Sequence, residues 1–363
     1  MQNIIWNPNM SHYECIQCSQ LYSLGEDMFE GCPACARDHE PSSVKPVYQE
    51  SWSKDNFLPF RQHITMGEGG TPLLPLNIEQ ESVYIKLESQ NPTGSHKDRM
   101  SAYVVSMARS RKYKGMVIAS SGNAGLSVAS YAAFAGLPCV LIATPQLNEE
   151  LAKVIQATGA VIVWTDTSME RWERMKDYVN DGYFPASNYI NPPVGTMPVG
   201  VQAYKMIARE IYEDFSGQIP SQVIVPSSRG DLLWGIYEGF QELNQTGKTS
   251  SIPQMIAVEP FPRLKRVLEG ESYTGWFDGA TNLVSINGQT VTRQLDQAVR
   301  ESRGEAVVID EKQSRYAQEQ LHRSGIHLEL SSAAALAAYY QTMNKYSSSS
   351  TVIIGTSSFF TPI

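Results

Sequence analysis

Lys97 lies in a segment whose composition favours a tight turn followed by a helix. The segment 91–99 reads NPTGSHKDR, so turn-forming residues precede the lysine, and an acidic and a basic residue follow it. A helix N-terminus and burial both disfavour an ammonium ion, which leaves a nucleophilic amine of the kind that bonds to an aldehyde cofactor. The ordinary alternative is a lysine that pairs with Asp98 or a neighbour on a helix surface. The segment by itself leaves both interpretations open.

A polar loop at 119–125, with the sequence ASSGNAG, follows an apolar run and precedes a helical pattern. The hydroxyls of Ser120 and Ser121, the backbone of Gly122 and the helix N-terminal amides can hold a carboxylate. The side chain of Asn123 offers an amide to a ring oxygen. A simple helix cap explains this loop equally well.

A second polar loop, VPSSRGDLLWG at 225–235, has the form of a phosphate cradle. Its backbone amides, the hydroxyls of Ser227 and Ser228 and the guanidinium of Arg229 could surround a phosphate. Asp231 opposes this interpretation, because a carboxylate in such a loop repels phosphate. The acid is instead expected to cap the following helix or to pair with Arg229.

Four of the five cysteines form two CxxC pairs, Cys15 with Cys18 and Cys32 with Cys35. Two such knuckles can bring four thiolates to one tetrahedral point, so the spacing predicts a structural zinc site in a short N-terminal β-ribbon. Two disulfides or four free thiols are the alternatives, and disulfides are rare in a reducing compartment. Cys139 lies in an apolar run and is expected to be a buried strand residue.

Short apolar runs alternate with helical patterns along most of the chain. The expected strands cover 83–88, 116–120, 139–143, 160–165, 222–225, 255–258 and 351–354, and the expected helices 124–135, 149–158, 195–215, 232–243 and 312–322. Such alternation predicts an α/β protein with open, mostly parallel twisted sheets covered by helices. The length fits two such sheets better than one.

The composition is typical of globular proteins that act on small molecules. The 363 residues are 42% hydrophobic and 18% charged, the formal net charge is −8, and no run of Lys and Arg favours nucleic acid or anionic lipid. No stretch approaches the roughly 20 apolar residues of a membrane span, and the N-terminus lacks the pattern of a signal peptide. We therefore expect a cytoplasmic protein.

The motifs and their order resemble those of the fold type II (tryptophan synthase β-like) pyridoxal-phosphate enzymes, and specifically the threonine synthase branch. PTGSHKDR resembles the lysine motif of that family and SSGN its ring-binding motif. The resemblance therefore implies that Lys97 bonds to the aldehyde of pyridoxal 5′-phosphate and that Asn123 contacts its phenolic oxygen. GEGGTPL at 67–73, YIKLE at 84–88 and GIHLELSSAA at 325–334 resemble further family segments in the same order.

The resemblance also implies a domain organisation. Residues 1–45 are expected to form a zinc-ribbon-like module and linker, of a kind found in some family members. Residues 46–98 with 206–363 are expected to form the large cofactor-binding domain, and residues 99–205 the small α/β domain. A homodimer is the expected assembly.

Three features of the chain depart from the family pattern. The phosphate loop is usually glycine-rich but here consists of Ser227, Ser228, Arg229, Gly230 and Asp231. His96 stands where threonine synthases usually have Phe. Thr356 or Ser357 takes the place of the hydroxyl that faces the pyridine nitrogen. A hydroxyl there leaves that nitrogen largely unprotonated, which suits elimination or replacement at Cβ and Cγ.

The implied activity is elimination or replacement on an amino acid, with conversion of O-phosphohomoserine into threonine and phosphate as the leading expectation. Ser120, Ser121 and Gly122 are expected to bind the substrate, and Lys86 and Arg99 are candidate cations for its phosphate. β-Replacement or dehydration of serine-type or phosphoserine-type substrates, as in relatives that resemble cysteate synthase, cysteine synthase or threonine dehydratase, is an alternative. A catalytically silent homologue that acts as a binding protein is a further one.

Overall fold

The computed structural model describes residues 2–49, 57–78, 81–343, 345 and 350–361. These residues form two compact units. The first unit comprises the described residues up to Glu68 together with Lys97–Ala203, and the second comprises Gly69–His96 and Tyr204–Thr361. The domain boundaries expected from the sequence remain a prediction.

Strands and helices alternate through most of the described chain. The strands are β1 Ile5–Trp6, β2 Met10–Cys15, β3 Leu21–Tyr22, β4 Val44–Tyr48, β5 Phe60–Gln62, β6 Leu73–Ile78, β7 Glu81–Lys86, β8 Met116–Ala119, β9 Cys139–Ala143, β10 Val161–Trp164, β11 Phe184–Pro185, β12 Gln222–Pro226, β13 Gln254–Glu259, β14 Glu305–Val308 and β15 Thr351–Ile354. The helices are α1 Pro33–Arg37, α2 Lys97–Ser110, α3 Asn123–Ala135, α4 Glu149–Ala157, α5 Ser168–Asn180, α6 Pro198–Val201, α7 Lys205–Asp214, α8 Asp231–Gln245, α9 Leu264–Leu268, α10 Arg293–Glu301, α11 Glu311–Arg323 and α12 Leu330–Thr342. Short 3-10 turns cover Glu88–Gln90, Gln202–Tyr204 and Val284–Ile286.

The first unit contains a four-stranded parallel sheet in the order β10-β9-β8-β11. Strands β8 and β9 are nearly continuous apolar runs, as expected of parallel strands that are covered on both faces. Helix α5 contributes Trp172 and Met175 to a core that they share with Val117 and Ile142 of the sheet. The polar loop that follows β8 is thereby held on a buried strand.

The N-terminal part of the first unit forms a three-stranded antiparallel sheet, β3-β2-β4, and the two-stranded pair β1-β5. The first CxxC pair lies on the predicted ribbon, but the second does not. Cys32 caps helix α1, whose first residue is Pro33, and Cys35 lies within that helix. Proline suits this position because its fixed φ matches the helix and its missing N–H costs no helical hydrogen bond.

The second unit contains a six-stranded sheet in the order β14-β13-β12-β15-β7-β6. All neighbouring pairs are parallel except β6 with β7 at one edge. The alanine-rich helix α12 packs on this sheet, and Ala334 and Ala337 share a core with Ile224 and Ile353. The prediction of an α/β fold with mostly parallel sheets is therefore confirmed. Among the described residues, no helix combines the length and the apolar character that crossing a membrane requires.

Candidate active site

Three predicted site segments lie at one edge of the sheet in the second unit. Strands β12, β15 and β7 are consecutive parallel neighbours, so their carboxyl ends share that edge. The SSRGD loop follows β12, the Thr356–Ser357 turn follows β15, and the turn that leads to Lys97 follows β7. In open α/β sheets this edge is where ligands bind.

A buried carboxylate organises the turn that precedes Lys97. Glu88 accepts a hydrogen bond from the Thr71 hydroxyl at 2.7 Å and another from Asn91 Nδ2 at 2.9 Å. Asn91 Nδ2 also donates to the Glu88 carbonyl at 2.8 Å. Gly94 has φ +86°, and a Cβ there would lie 2.7 Å from the Thr361 hydroxyl, so a side chain would be both strained and obstructed.

The last residues of this turn pair with the segment after β15. The His96 amide donates to the Thr356 carbonyl at 2.9 Å, and the Ser358 amide donates to the Gly94 carbonyl at 2.8 Å. The His96 ring nitrogen Nδ1 also lies 3.2 Å from the Thr356 carbonyl oxygen. Thr356 and Ser357 are both buried and their hydroxyls are 3.5 Å apart, so either remains the candidate partner for a pyridine nitrogen.

The SSRGD loop runs directly from strand β12 into helix α8. The Ser227 amide continues the sheet by donating to the Val258 carbonyl at 2.9 Å. Gly230 is the N-cap of α8 with φ +87°, a conformation that a side chain disfavours. The Asp231 carboxylate, which seemed unsuited to a phosphate loop, accepts a hydrogen bond from Gln294 Nε2 at 2.5 Å.

The charged form of the Arg229 side chain is disfavoured by its surroundings in this loop. Burial lowers the pKa of its guanidinium, and the charge of Asp231 opposes that shift. Its Nε lies 3.4 Å from the Thr290 hydroxyl, and its carbonyl accepts a hydrogen bond from the Thr292 hydroxyl at 2.6 Å. The residue is therefore held by the segment before α10 as well as by its own loop.

The SSGN loop lies at the carboxyl end of β8 in the first unit. The Ser120 hydroxyl accepts hydrogen bonds from the amides of Gly122 and Gly125 at 3.2 and 3.1 Å, which fixes the shape of the loop. The Ser121 hydroxyl lies 3.3 Å from that of Thr144. Asn123 is the first residue of α3 and is 7% exposed, so its amide is held near a helix N-terminus.

Lys97 is the first residue of helix α2, as the sequence predicts. The next two residues are buried, and the Asp98 carboxylate accepts a hydrogen bond from the Ser127 hydroxyl of α3 at 2.6 Å. Arg99 is only 3% exposed. The acidic and basic residues after the lysine thus lie inside the first unit, where Asp98 links α2 to the helix that carries Asn123.

Lys86, a predicted substrate cation, ends strand β7 and is buried in the second unit. Its Nζ donates to the Thr71 carbonyl at 2.6 Å and lies 2.9 Å from Glu210 Oε2 and 3.3 Å from Asp214 Oδ2. Three acceptors match the three N–H donors of an ammonium. These contacts do not favour a role in substrate binding, which stays a prediction.

The four CxxC thiols form a cluster that could hold a metal ion. Their Sγ atoms all lie within 4.8 Å of one another, and the Cys15–Cys35 and Cys18–Cys32 separations are both 3.6 Å. Sulfurs about 2.3 Å from a tetrahedral zinc ion would be about 3.8 Å apart, so the cluster has suitable dimensions. Cys139 lies apart in strand β9, as predicted, and burial raises its pKa to about 12.

The residues at these positions suit a phosphorylated aromatic aldehyde. The second unit offers the N-terminus of a 15-residue helix, α8, behind a loop with hydroxyl and guanidinium groups. It also offers two buried hydroxyls after β15. The first unit offers the Lys97 amine and the Asn123 amide. Phosphate, ring nitrogen, aldehyde and phenolic oxygen each have a chemically matched donor or nucleophile.

Residues 64–357 match the family model described as pyridoxal-phosphate dependent enzyme. Because this match spans most of the chain, the protein belongs to that family, and its fold is that of the fold type II members. Within the family it is similar to threonine synthases. The threonine synthase of Methanosarcina acetivorans is 29% identical over 356 residues, which cover 90% of this chain and 86% of the relative. That of Methanocaldococcus jannaschii is 28% identical over 354 residues, with 89% and 85% covered.

Solved structures show the same architecture. An O-ureido-L-serine synthase superposes with a TM-score of 0.65 at 24% identity and covers 80% of this chain and 90% of its own. A cysteine synthase from Entamoeba histolytica gives 0.66 at 24% identity, with 85% and 91% covered. At these identities the similarity supports the fold alone.

Two cations beside the predicted loops were missed in the sequence. Arg263 donates to the Ser227 carbonyl at 2.8 Å although the two residues are 36 positions apart. Arg171 donates to the Ser121 hydroxyl at 3.1 Å from the first turn of α5. Arg263 follows the carboxyl end of β13, which is a parallel neighbour of β12. A charged residue shortly after an expected neighbouring strand was therefore the sequence feature that could have identified it.

Proposed function

We propose that the protein catalyses pyridoxal-phosphate-dependent elimination or replacement on an amino acid, and that the favoured reaction converts O-phosphohomoserine and water into threonine and phosphate. The position of three predicted site segments at one edge of the second unit's sheet, with Lys97 directly after one of them, carries the proposal. Similarity to two threonine synthases over most of the chain supports the favoured reaction.

Each predicted residue then has a chemical task. Lys97 holds the cofactor through its amine and later removes the proton from the substrate Cα. Asn123 orients the ring through the phenolic oxygen, and Thr356 or Ser357 faces the ring nitrogen. When bound, the cofactor withdraws electrons from Cα, so that a proton and a β or γ leaving group can depart. The SSRGD loop binds the cofactor phosphate.

Substrate recognition is assigned to the SSGN loop. Ser121 and Gly122, with the first amides of α3, bind the substrate carboxylate, while Ser120 keeps the loop in shape through its two internal hydrogen bonds. Arg99 is the cation proposed for a substrate phosphate, whereas the three acceptors around the Lys86 ammonium make the role predicted for Lys86 less favoured. Arg171, which donates to the Ser121 hydroxyl, is a further cation beside this loop.

A second candidate function is β-replacement or dehydration of a serine-type substrate. The observation that favours it is the burial of both predicted phosphate cations, Lys86 at 1% and Arg99 at 3% exposed. A serine substrate carries no side-chain phosphate and needs neither. Phosphate release from O-phosphohomoserine, compared with pyruvate or 2-oxobutyrate formation from serine or threonine, distinguishes the two reactions.

The proposal is tested first at Lys97. The K97A variant should lose both the visible absorbance of covalently held cofactor and all turnover, because no other residue is assigned to that bond. K97R is expected to behave in the same way, since a guanidinium keeps the charge but does not form the bond. K114A is the matched control, because Lys114 is 59% exposed and pairs with Asp181 at the surface. A K97A protein that still holds cofactor reducible by borohydride contradicts the assignment.

We further propose that the four-thiol cluster of Cys15, Cys18, Cys32 and Cys35 binds a structural zinc ion. The sulfur separations and the all-thiol ligand set support zinc over harder metals. A homodimer remains a prediction, which sedimentation or light scattering tests.

A further inference from the structure

The first two peptide carbonyls of the SSRGD loop, those of Ser227 and Ser228, face a single buried guanidinium. Arg263 Nη2 donates to the Ser227 carbonyl at 2.8 Å, and Nη1 lies 3.3 Å from the Ser228 carbonyl oxygen. Nη1 also donates to the carbonyl of Gly288, which lies in the segment that covers the loop. One side chain therefore binds two consecutive peptides of the loop and anchors them to a neighbouring segment.

This arrangement fixes the direction of the loop amides. In a trans peptide the C=O of one residue and the N–H of the next point in opposite directions. With the Ser227 and Ser228 carbonyls turned toward Arg263, the amides of Ser228 and Arg229 point away from it. Consecutive amides that point to one side form an anion-binding concavity, and here they lead into the N-terminus of α8.

Arg263 is itself held in place by Glu259 at the end of β13. The Glu259 carboxylate lies 3.4 Å from Arg263 Nε and accepts hydrogen bonds from the amides of Arg263, Leu264 and Lys265 at 3.1, 2.9 and 3.0 Å. Both side chains of the pair are almost fully buried, at 1% and 2% exposed.

Arg263 nevertheless keeps its charge at neutral pH. Burial lowers its pKa to about 10, with Glu259 opposing the shift and the charge of Arg229 adding to it. The guanidinium thus remains protonated and can donate to the loop carbonyls, which polarises the peptides so that their N–H groups become better donors.

We propose that Arg263 is a positioning residue that sets the phosphate affinity of the SSRGD loop without touching the phosphate. This inference rests on the proposed function, because it assumes that the loop binds the phosphate of pyridoxal 5′-phosphate. The tight fit on the carbonyl side supports it: a Cβ on Gly288 would lie 2.6 Å from the Ser228 hydroxyl, so the covering segment and the loop are in close contact.

The test compares two ligands that differ only in the phosphate. The cofactor-free protein is titrated with pyridoxal 5′-phosphate and, separately, with pyridoxal, and binding is followed by the quenching of tryptophan fluorescence. The variant R263M/E259Q removes the guanidinium without leaving a buried carboxylate unpaired. R266M is the matched control, because Arg266 lies in α9, directly after the N-cap residue Arg263 and its first helical residues, with a 44% exposed side chain.

We expect R263M/E259Q to bind pyridoxal 5′-phosphate about 10- to 100-fold more weakly, the usual effect of losing a residue that orients ligand-binding groups, while pyridoxal binding changes less than about twofold. R266M should bind both ligands like the unaltered protein. An equal loss for both ligands, or no loss for either, overturns the inference. If the unaltered protein binds neither ligand, the proposed function fails and the inference fails with it.

A second variant keeps the test decisive if R263M/E259Q does not fold, which circular dichroism reports. R263K retains the charge but replaces a planar fork of donors by a point-like ammonium that serves fewer carbonyls at once. A loss of affinity confined to pyridoxal 5′-phosphate supports the inference. A loss that is equal for pyridoxal contradicts it.

Discussion

Replacing Lys86 by methionine separates a structural role from substrate binding. Removing one partner of a buried ion pair costs about 3–5 kcal/mol, because the other partner is left buried and charged. Here the Glu210 side chain is 13% exposed and that of Asp214 is 43% exposed, so water stabilises the two carboxylates in part. The Thr71 carbonyl also loses its donor. We therefore expect the free energy of unfolding to fall by about 2–3 kcal/mol.

Urea denaturation measures this loss, and a compensated variant checks its cause. K86M/E210Q/D214N leaves no carboxylate without its cationic partner and should recover at least half of the lost stability. If K86M folds, its apparent KM for the amino-acid substrate should stay within about threefold of that of the unaltered protein. A K86M protein of unchanged stability whose KM rises more than tenfold would refute this reasoning. It would instead restore the role in substrate binding that the sequence suggested.

Two further predictions concern the metal cluster and the start of α8. The unaltered protein should contain about one zinc ion per chain by metal analysis. C18S should contain less than half of that amount and unfold at a lower temperature, whereas C139S should retain the metal. Full zinc content in C18S contradicts the site. G230A should lower the free energy of unfolding by about 1–3 kcal/mol more than G247A, as measured by urea denaturation. Both glycines have positive φ, but a Cβ on Gly230 would lie 2.6 Å from Leu295, whereas a Cβ on Gly247 would meet open space in the described part of the chain. Equal losses in the two variants would show that strain alone matters.

The sequence predicted the buried strands well, because apolar runs with clear boundaries leave little choice. The expected strands at 139–143 and 351–354 coincide with β9 and β15. Helix α5 was missed although a signal existed: Thr167, its N-cap, and Glu170 in its first turn form a reciprocal capping box. The second CxxC pair was expected on a ribbon but lies at the start of α1, because a Cys-Pro step suits a helix start as well as a turn.

The candidate site was predictable where chemistry depends on neighbours in sequence and unpredictable where it depends on neighbours in space. Lys97 and Asn123 each follow a turn and begin a helix, and both features are local. The environment of Lys86 is not local, since Glu210 and Asp214 come from α7, more than a hundred residues later. A lysine in a strand gives no sign in the sequence of whether it meets solvent, a ligand or two carboxylates.

In the SSRGD loop, which is proposed to bind phosphate, contacts from outside the loop can take over a task that glycine flexibility performs in the family's usual loop. A run of glycines can turn successive amides toward a phosphate because glycine readily adopts positive φ. In this loop Gly230 has φ +87°, while Ser227, Ser228 and Arg229 are not among the described residues with positive φ. The direction of their amides must therefore be stabilised from the carbonyl side, where Arg263 and Thr292 donate. The glycine-poor loop and the arginine after β13 thus depend on each other. We expect the loop to keep the direction of its amides only when Arg263 is present.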